Sequence, residues 1–159
     1  MNQRMNLLKH SIFTILAVAL TLASCSRQMI YSHYENVNPE GWERSEYKVF
    51  CVNIPKDGTY SETIGLRATR AYPFTDITII VSQHIMPSDI LYSDTLNIAI
   101  TDKEGNELGL GINHRQIDVP FSTIPLNKDD SLYISIRHYM MKEILPGITD
   151  IGFSMERTE

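Results

Sequence analysis

The chain has 159 residues, a formal net charge of −5 and 43% hydrophobic residues. That acidic balance excludes an electrostatic partnership with nucleic acid or with an anionic lipid surface. Two cysteines, Cys25 and Cys51, are too few for a disulfide scaffold, so stability has to come from burial.

Arg4 and Lys9 precede an uncharged apolar run from Ile12 to Ala23, and small residues then lead to Cys25. A basic start, a short apolar run and a small-residue cleavage site describe a secretory signal peptide. A membrane-spanning helix needs roughly 20 apolar residues to cross ~30 Å of hydrocarbon, and this run is too short. Leu22-Ala23-Ser24-Cys25 looks like the lipoprotein signal of bacteria, with cleavage between Ser24 and Cys25 and acyl chains on Cys25. Each buried methylene contributes about 0.8 kcal/mol, so two or three chains anchor stably where one does not. Removing 24 of the 159 residues leaves 135, enough for one domain, and takes the formal charge from −5 to −7.

The expected organisation is a signal peptide over 1–24, a lipidated N-terminus and tether over 25–45, and a folded domain over 46–159. Residues 26–45 show no sustained period, and Asn38-Pro39-Glu40-Gly41 is a turn signal. Trp42 is expected to pack over one end of the core.

From Glu46 the pattern has period two, which sends alternate side chains to opposite faces of a sheet. Phe50, Val52 and Ile54 form one inward row, with Lys48 at its start, and Cys51 within this run reads as an inert, half-buried thiol. Ile64, Leu66 and Ala68 form a second row, before Tyr72-Pro73-Phe74 breaks the strand. Ile77, Ile79, Val81 and Ile85 form a third, closed by Met86-Pro87-Ser88-Asp89. Leu96, Ile98 and Ile100 alternate with Asn97 and Ala99, and Asp102-Lys103-Glu104-Gly105-Asn106 reads as a hairpin turn. Further rows are Ile117, Val119 and Phe121; Leu132, Ile134 and Ile136; and Ile151, Phe153 and Met155. Tyr139–Leu145 has room for a turn or two of helix at most. About seven short strands with Pro- and Gly-marked turns predict an all-β fold, a single β-sandwich of immunoglobulin-like or jelly-roll type.

Chemistry is harder to find. Outside the signal peptide, His33, His84, His114 and His138 have no companions at metal-ligand spacing, so no metal site and no cofactor are expected. Gly105 falls at the wrong place for a calcium loop beginning at Asp102. Gly105, Gly109 and Gly111 lack the Lys and the following helix of a phosphate loop. Asp129-Asp130 reads as a solvated turn. No nucleophile elbow or Ser, His and Asp grouping stands out, so an enzyme is not expected.

Tyr72-Pro73-Phe74, Asp94-Thr95-Leu96, Gly105…Gly109-Leu110-Gly111 and Leu145-Pro146-Gly147-Ile148-Thr149-Asp150-Ile151-Gly152-Phe153 follow in order behind the lipoprotein signal. From about Cys25 to Glu156 the chain resembles the GldH gliding-motility lipoproteins of the Bacteroidetes. The resemblance implies a lipid-anchored envelope component that works with other gliding or secretion lipoproteins and the type IX secretion apparatus. It carries no catalytic residues. Ser26-Arg27-Gln28-Met29-Ile30 contains no acid, unlike the usual surface-exported lipoproteins of that phylum, so the expected place is the outer membrane, facing the periplasm. Tyr72, Pro73 and Phe74 are the candidate partner contact, two aromatics on a stiff turn; the competing role for them is to plug the end of the sandwich. The alternative function is a glycan- or peptide-binding lipoprotein with Trp42, Tyr72 or Tyr92 as a stacking platform, although no small-molecule ligand is otherwise indicated.

Overall fold

The computed structural model describes residues 28–158, and Ser24, Cys25 and the signal peptide lie outside them. Strands β1 (Gln28–Asn36), β3 (Lys48–Asn53), β4 (Gly58–Ala68), β5 (Asp76–Met86), β6 (Ile90–Ala99), β7 (Arg115–Leu126), β8 (Ser131–His138) and β10 (Ile148–Arg157) make the body of the fold. Short strands β2 (Trp42–Glu43) and β9 (Ile144–Leu145) pair with each other. One four-stranded sheet has the order β1-β10-β4-β7 and the other β3-β8-β5-β6. All neighbours are antiparallel. The chain crosses from sheet to sheet at every step between these eight strands except the β5–β6 hairpin. That is the order of a jelly roll, which decides between the two sandwich types.

The alternating rows become the core. Phe50, Val52 and Ile54 are buried on or beside β3, Ile64, Leu66 and Ala68 on β4, and Leu132, Ile134 and Ile136 on β8. Lys48 joins its row at 7% exposure and donates from Nζ to the Asn36 carbonyl (2.6 Å) and the Glu46 carboxylate (2.5 Å). On β10 the register shifts between Ile148 and Asp150, so the buried row changes phase from Ile148 to Ile151, Phe153 and Met155. A shift opposite Glu62 and Thr63 does the same on β7, placing Ser122, Ile124 and Leu126 in the row that Ile117 and Val119 began. Such bulges insert one residue and reverse the alternation beyond it.

Several expectations change. Residues 28–36 are not tether but the edge strand β1, paired with β10 along its length. Period two fails there because both faces of β1 are half covered and its register breaks between Met29 and Tyr31. On the outer face the Tyr34 ring lies over Gly65 and Gly152, where a Cβ at either position would run into it. Arg67 stacks on that ring at 4.0 Å, and the Tyr34 hydroxyl donates to Asp118 Oδ1 at 2.9 Å. The stretch 139–145 ends in β9, and no helix occurs among the described residues. Cys51 is exposed rather than half-buried, because it alternates with Phe50 and Val52 on an edge strand. Asp130 is buried, not solvated, and its carboxylate accepts the Asn127 amide at 2.9 Å to close the turn.

Candidate functional site

Two stretches far apart in sequence meet at one end of the sandwich because β10 lies beside β4. After β4 the chain turns at Thr69, whose carbonyl accepts the Tyr72 amide at 3.1 Å and whose Oγ1 accepts the Ala71 amide at 3.3 Å. The tight turn between β9 and β10 is Pro146-Gly147. Gly147 has φ +84°, and a Cβ there would collide with the Tyr72 amide, so the position needs glycine for both conformation and clearance. Its carbonyl accepts the Thr69 amide at 2.7 Å, which ties the two turns together.

Tyr72 and Phe74 divide the two roles expected of them. Tyr72 is 8% exposed and its hydroxyl donates to the Asp76 carbonyl at 2.8 Å. Burial, with Asp76 nearby, pushes that phenol well above its usual range, so it remains a neutral donor. Phe74 stands edge-on to it with ring centroids 5.7 Å apart and is 38% exposed, and Pro73 is exposed between them. Tyr72 plugs the end, while Pro73 and Phe74 face solvent.

Beneath this end lies the β2–β9 pair. Trp42 is fully buried, donates from Nε1 to the Glu46 carbonyl at 3.2 Å and sits edge-on to His138 at 5.3 Å. His138 Nε2 donates to the Trp42 carbonyl at 3.0 Å while Nδ1 accepts the Met140 amide at 3.4 Å, so one neutral tautomer satisfies both bonds. Burial holds its pKa below the ordinary imidazole value. A cleft of about 650 Å³ opens between the Val37–Pro39 turn and the Pro146–Thr149 turn, floored by Thr69 and Ala71. Its one carboxylate, Asp150, is engaged by Thr149 Oγ1 at 2.8 Å and lies 3.8 Å from Arg67. The cleft lining mixes apolar Val37, Pro39, Pro146 and Ile148 with the polar side chains of Asn36, Asn38 and Thr149, a surface suited to contact.

The three aromatics of the alternative function do not converge. Trp42 and Tyr72 are buried, whereas Tyr92 is 53% exposed on β6, paired with Gln83 seven residues along β5 from Asp76. Among the described residues no group of three His, Cys, Asp or Glu side chains could hold a metal ion. The Asp102 loop is the expected turn: the Asp102 carboxylate accepts the Asn106 side-chain amide (2.8 Å) and the backbone amides of Asn106 (2.7 Å) and Glu104 (2.9 Å), and these bonds hold its pKa low.

One pair escaped the sequence reading. Glu62 of β4 is fully buried, and Gln83 of β5 donates to both its oxygens at 2.6 Å across the interior. Burial pushes the Glu62 carboxyl up, against the opposing pull of Ser122 and Gln83. The signal was a polar gap at Gln83 in the row Ile77, Ile79, Val81, Ile85.

Comparison with known proteins decides the family. The model of the GldH lipoprotein family matches residues 29–155. The chain belongs to the GldH lipoprotein family. The gliding motility lipoprotein GldH of Flavobacterium johnsoniae is 26% identical, over 91% of this chain and 95% of that protein. The gliding motility lipoprotein GldH homolog of Christiangramia forsetii is 24% identical, over 94% of this chain and 96% of that protein. GldH membership makes this a lipoprotein of the cell envelope. Among solved structures, a family 35 carbohydrate binding module from Clostridium thermocellum superimposes with a TM-score of 0.41 at 9% identity, covering 86% of this chain and all of the module. At that score the likeness bears on neither fold nor ligand.

Proposed function

We propose that this protein is a non-enzymatic component of the gliding or type IX secretion machinery, anchored by acyl chains on Cys25 and acting through protein–protein contacts. Family membership over nearly the whole folded domain is the observation that carries this reading. The surface it uses is the end where Pro73 and Phe74 are exposed and a cleft opens at the Pro146-Gly147 turn. Rigid aromatic anchors of this kind dominate contact energetics. The acid-free stretch after Cys25 supports an outer-membrane position facing the periplasm.

Deleting the gene and scoring surface motility together with type IX cargo export tests the role. Loss of either supports it, while intact motility and export, with nothing co-purifying from solubilised envelope, contradicts it. The anchor has a separate test. Cys25→Ala should abolish incorporation of labelled palmitate, and unchanged labelling would disprove the lipidation. A glycan- or peptide-binding role rests on Tyr92 alone, since Trp42 and Tyr72 are inside the fold.

A further inference from the structure

The two sheets expose four edges, and three of them are defended. Edge strands invite pairing with foreign chains unless a bulge, a proline, a charge or short length blunts them. β1 has a register break between Met29 and Tyr31, and β3 is only six residues long. β7 has Pro120, Pro125 and a register break opposite Glu62 and Thr63. β6 has no bulge and no proline, is not short, and carries a single charge, Asp94, midway along it. Its ten residues, ILYSDTLNIA, contain no Pro, Lys or Arg. Its pairing with β5 runs unbroken from Ile85↔Ile90 to Asp76↔Ala99.

The side chains beside that edge are uncovered as well. Cross-strand partners share a face, so Ile90, Tyr92 and Asp94 point the same way as buried Ile85, Gln83 and Val81. Yet Ile90 is 41% and Tyr92 53% exposed, because β7 of the other sheet does not reach over them. Phe121, Ser122 and Ile124 of β7 are only half-buried across the gap, an opening of about 230 Å³. A backbone edge with no neighbouring strand among the described residues, its Thr95 amide held by the Asp94 carboxylate of the same strand, and an uncovered strip of core therefore coincide.

We propose that β6 accepts an extended segment of another envelope protein as a fifth strand of its sheet. The reading rests on the domain working by contacts but names a different surface from the Phe74 end. Backbone hydrogen bonds to β6 supply the affinity, and alternate side chains of the incoming strand fill the gap between β6 and β7. Those side chains are apolar where they meet Tyr92, Phe121 and Ile124. The one charge on β6 is Asp94, whose Oδ1 accepts the Thr95 amide at 2.7 Å. It favours a basic residue on the incoming strand. A second copy of this chain fits poorly, because antiparallel β6–β6 pairing at full overlap sets two Asp94 carboxylates opposite or diagonal to each other. The chain's own lipidated start fits no better. Only Cys25, Ser26 and Arg27 separate the predicted cleavage from β1, which lies at the far edge of the opposing sheet.

The test uses the full lipidated protein in its native envelope, with a photo-crosslinking benzoylphenylalanine placed singly at Ser93, Thr95, Asn97 or Phe74. Crosslinked peptides are then sequenced. The proposal expects the three β6 probes to map onto alternate residues of one extended segment of one partner. Thr95→Pro should reduce crosslinking from positions 93 and 97 about tenfold, the scale of one lost hydrogen bond at the edge. Thr95→Val should not reduce it. Thr95→Lys serves as a second edge block if the proline variant shifts the urea midpoint. Crosslinks from β6 back to β6, scattered over unrelated surfaces, or unaffected by both edge blocks overturn the proposal. Crosslinks from Phe74 alone overturn it and leave the contact function standing, whereas silence at all four positions removes both.

Discussion

Where β1 passes β3, the inward side chains of the two edges overlap. His33 sits edge-on to Phe50 at 6.4 Å, and Lys48 reaches across to the Asn36 carbonyl. As a result Lys48, Phe50 and Val52 are 7%, 1% and 3% exposed although β3 is an edge strand. Where the first half of β6 passes β7 no hydrogen bond or ring contact among the described residues spans the gap, and Ile90, Tyr92 and Asp94 remain exposed, while Ile98 further along is 1% exposed. The same alternating pattern thus yields a sealed seam and an open one. What separates them is that Lys48 and the His33–Phe50 pair bridge the first seam, whereas Phe121 and Ile124 of β7 leave an opening beside Tyr92 at the second.

That contrast orders the mutational effects. Phe50→Ala should cost about 3–5 kcal/mol in urea unfolding, as a large ring leaves a sealed seam. A cost below roughly 1 kcal/mol would mean the seam is not packed as described. Lys48→Met keeps the stem but loses both bonds, and should cost about 1–3 kcal/mol while loosening β1, visible as faster amide exchange from Gln28 to Asn36. Unchanged exchange would show that Lys48 does not hold that edge.

Glu62, beneath the open seam, gives a pH signature. Its pKa is raised in the folded state, so the fold binds the proton more tightly than the unfolded chain does. The associated stability is complete below the ordinary glutamate value and is lost as pH rises through the folded value. Glu62→Gln should therefore gain on the wild type as pH is raised from about 5 to about 8, and a difference that shrinks over that range would reverse the sign. Tyr92→Ala should change stability least, within about 0.5 kcal/mol, since its ring is in water already. A loss as large as that of Phe50→Ala would mean the second seam is sealed too.

Much of the fold was legible in the residues themselves. The rows Ile64-Leu66-Ala68, Ile77-Ile79-Val81 and Leu132-Ile134-Ile136 alternate cleanly because the large apolar side chains of each strand all face the one interior. β1 was hidden for the opposite reason, since Tyr31 packs inward, Tyr34 outward, and the register breaks between Met29 and Tyr31. Tyr72-Pro73-Phe74 was visible as a rigid aromatic turn. Its junction with Gly147 was not, because that contact depends on β10 pairing with β4, and strand order is not written in a period-two pattern. The openness of β6 had a faint signal in its lack of Lys, Arg and Pro, but an edge can be recognised only once the sheet order is known.

Hydroxyl-radical footprinting of four aromatics tests most directly the claim that the protein works by contacts at particular surfaces. Tyr92, Phe74, Tyr47 and Tyr139 are 53%, 38%, 55% and 60% exposed, so all four oxidise in the purified domain. In the native envelope the account predicts protection of Tyr92 and Phe74, with Tyr47 and Tyr139 reacting as before. Equal oxidation of all four in both settings would contradict it.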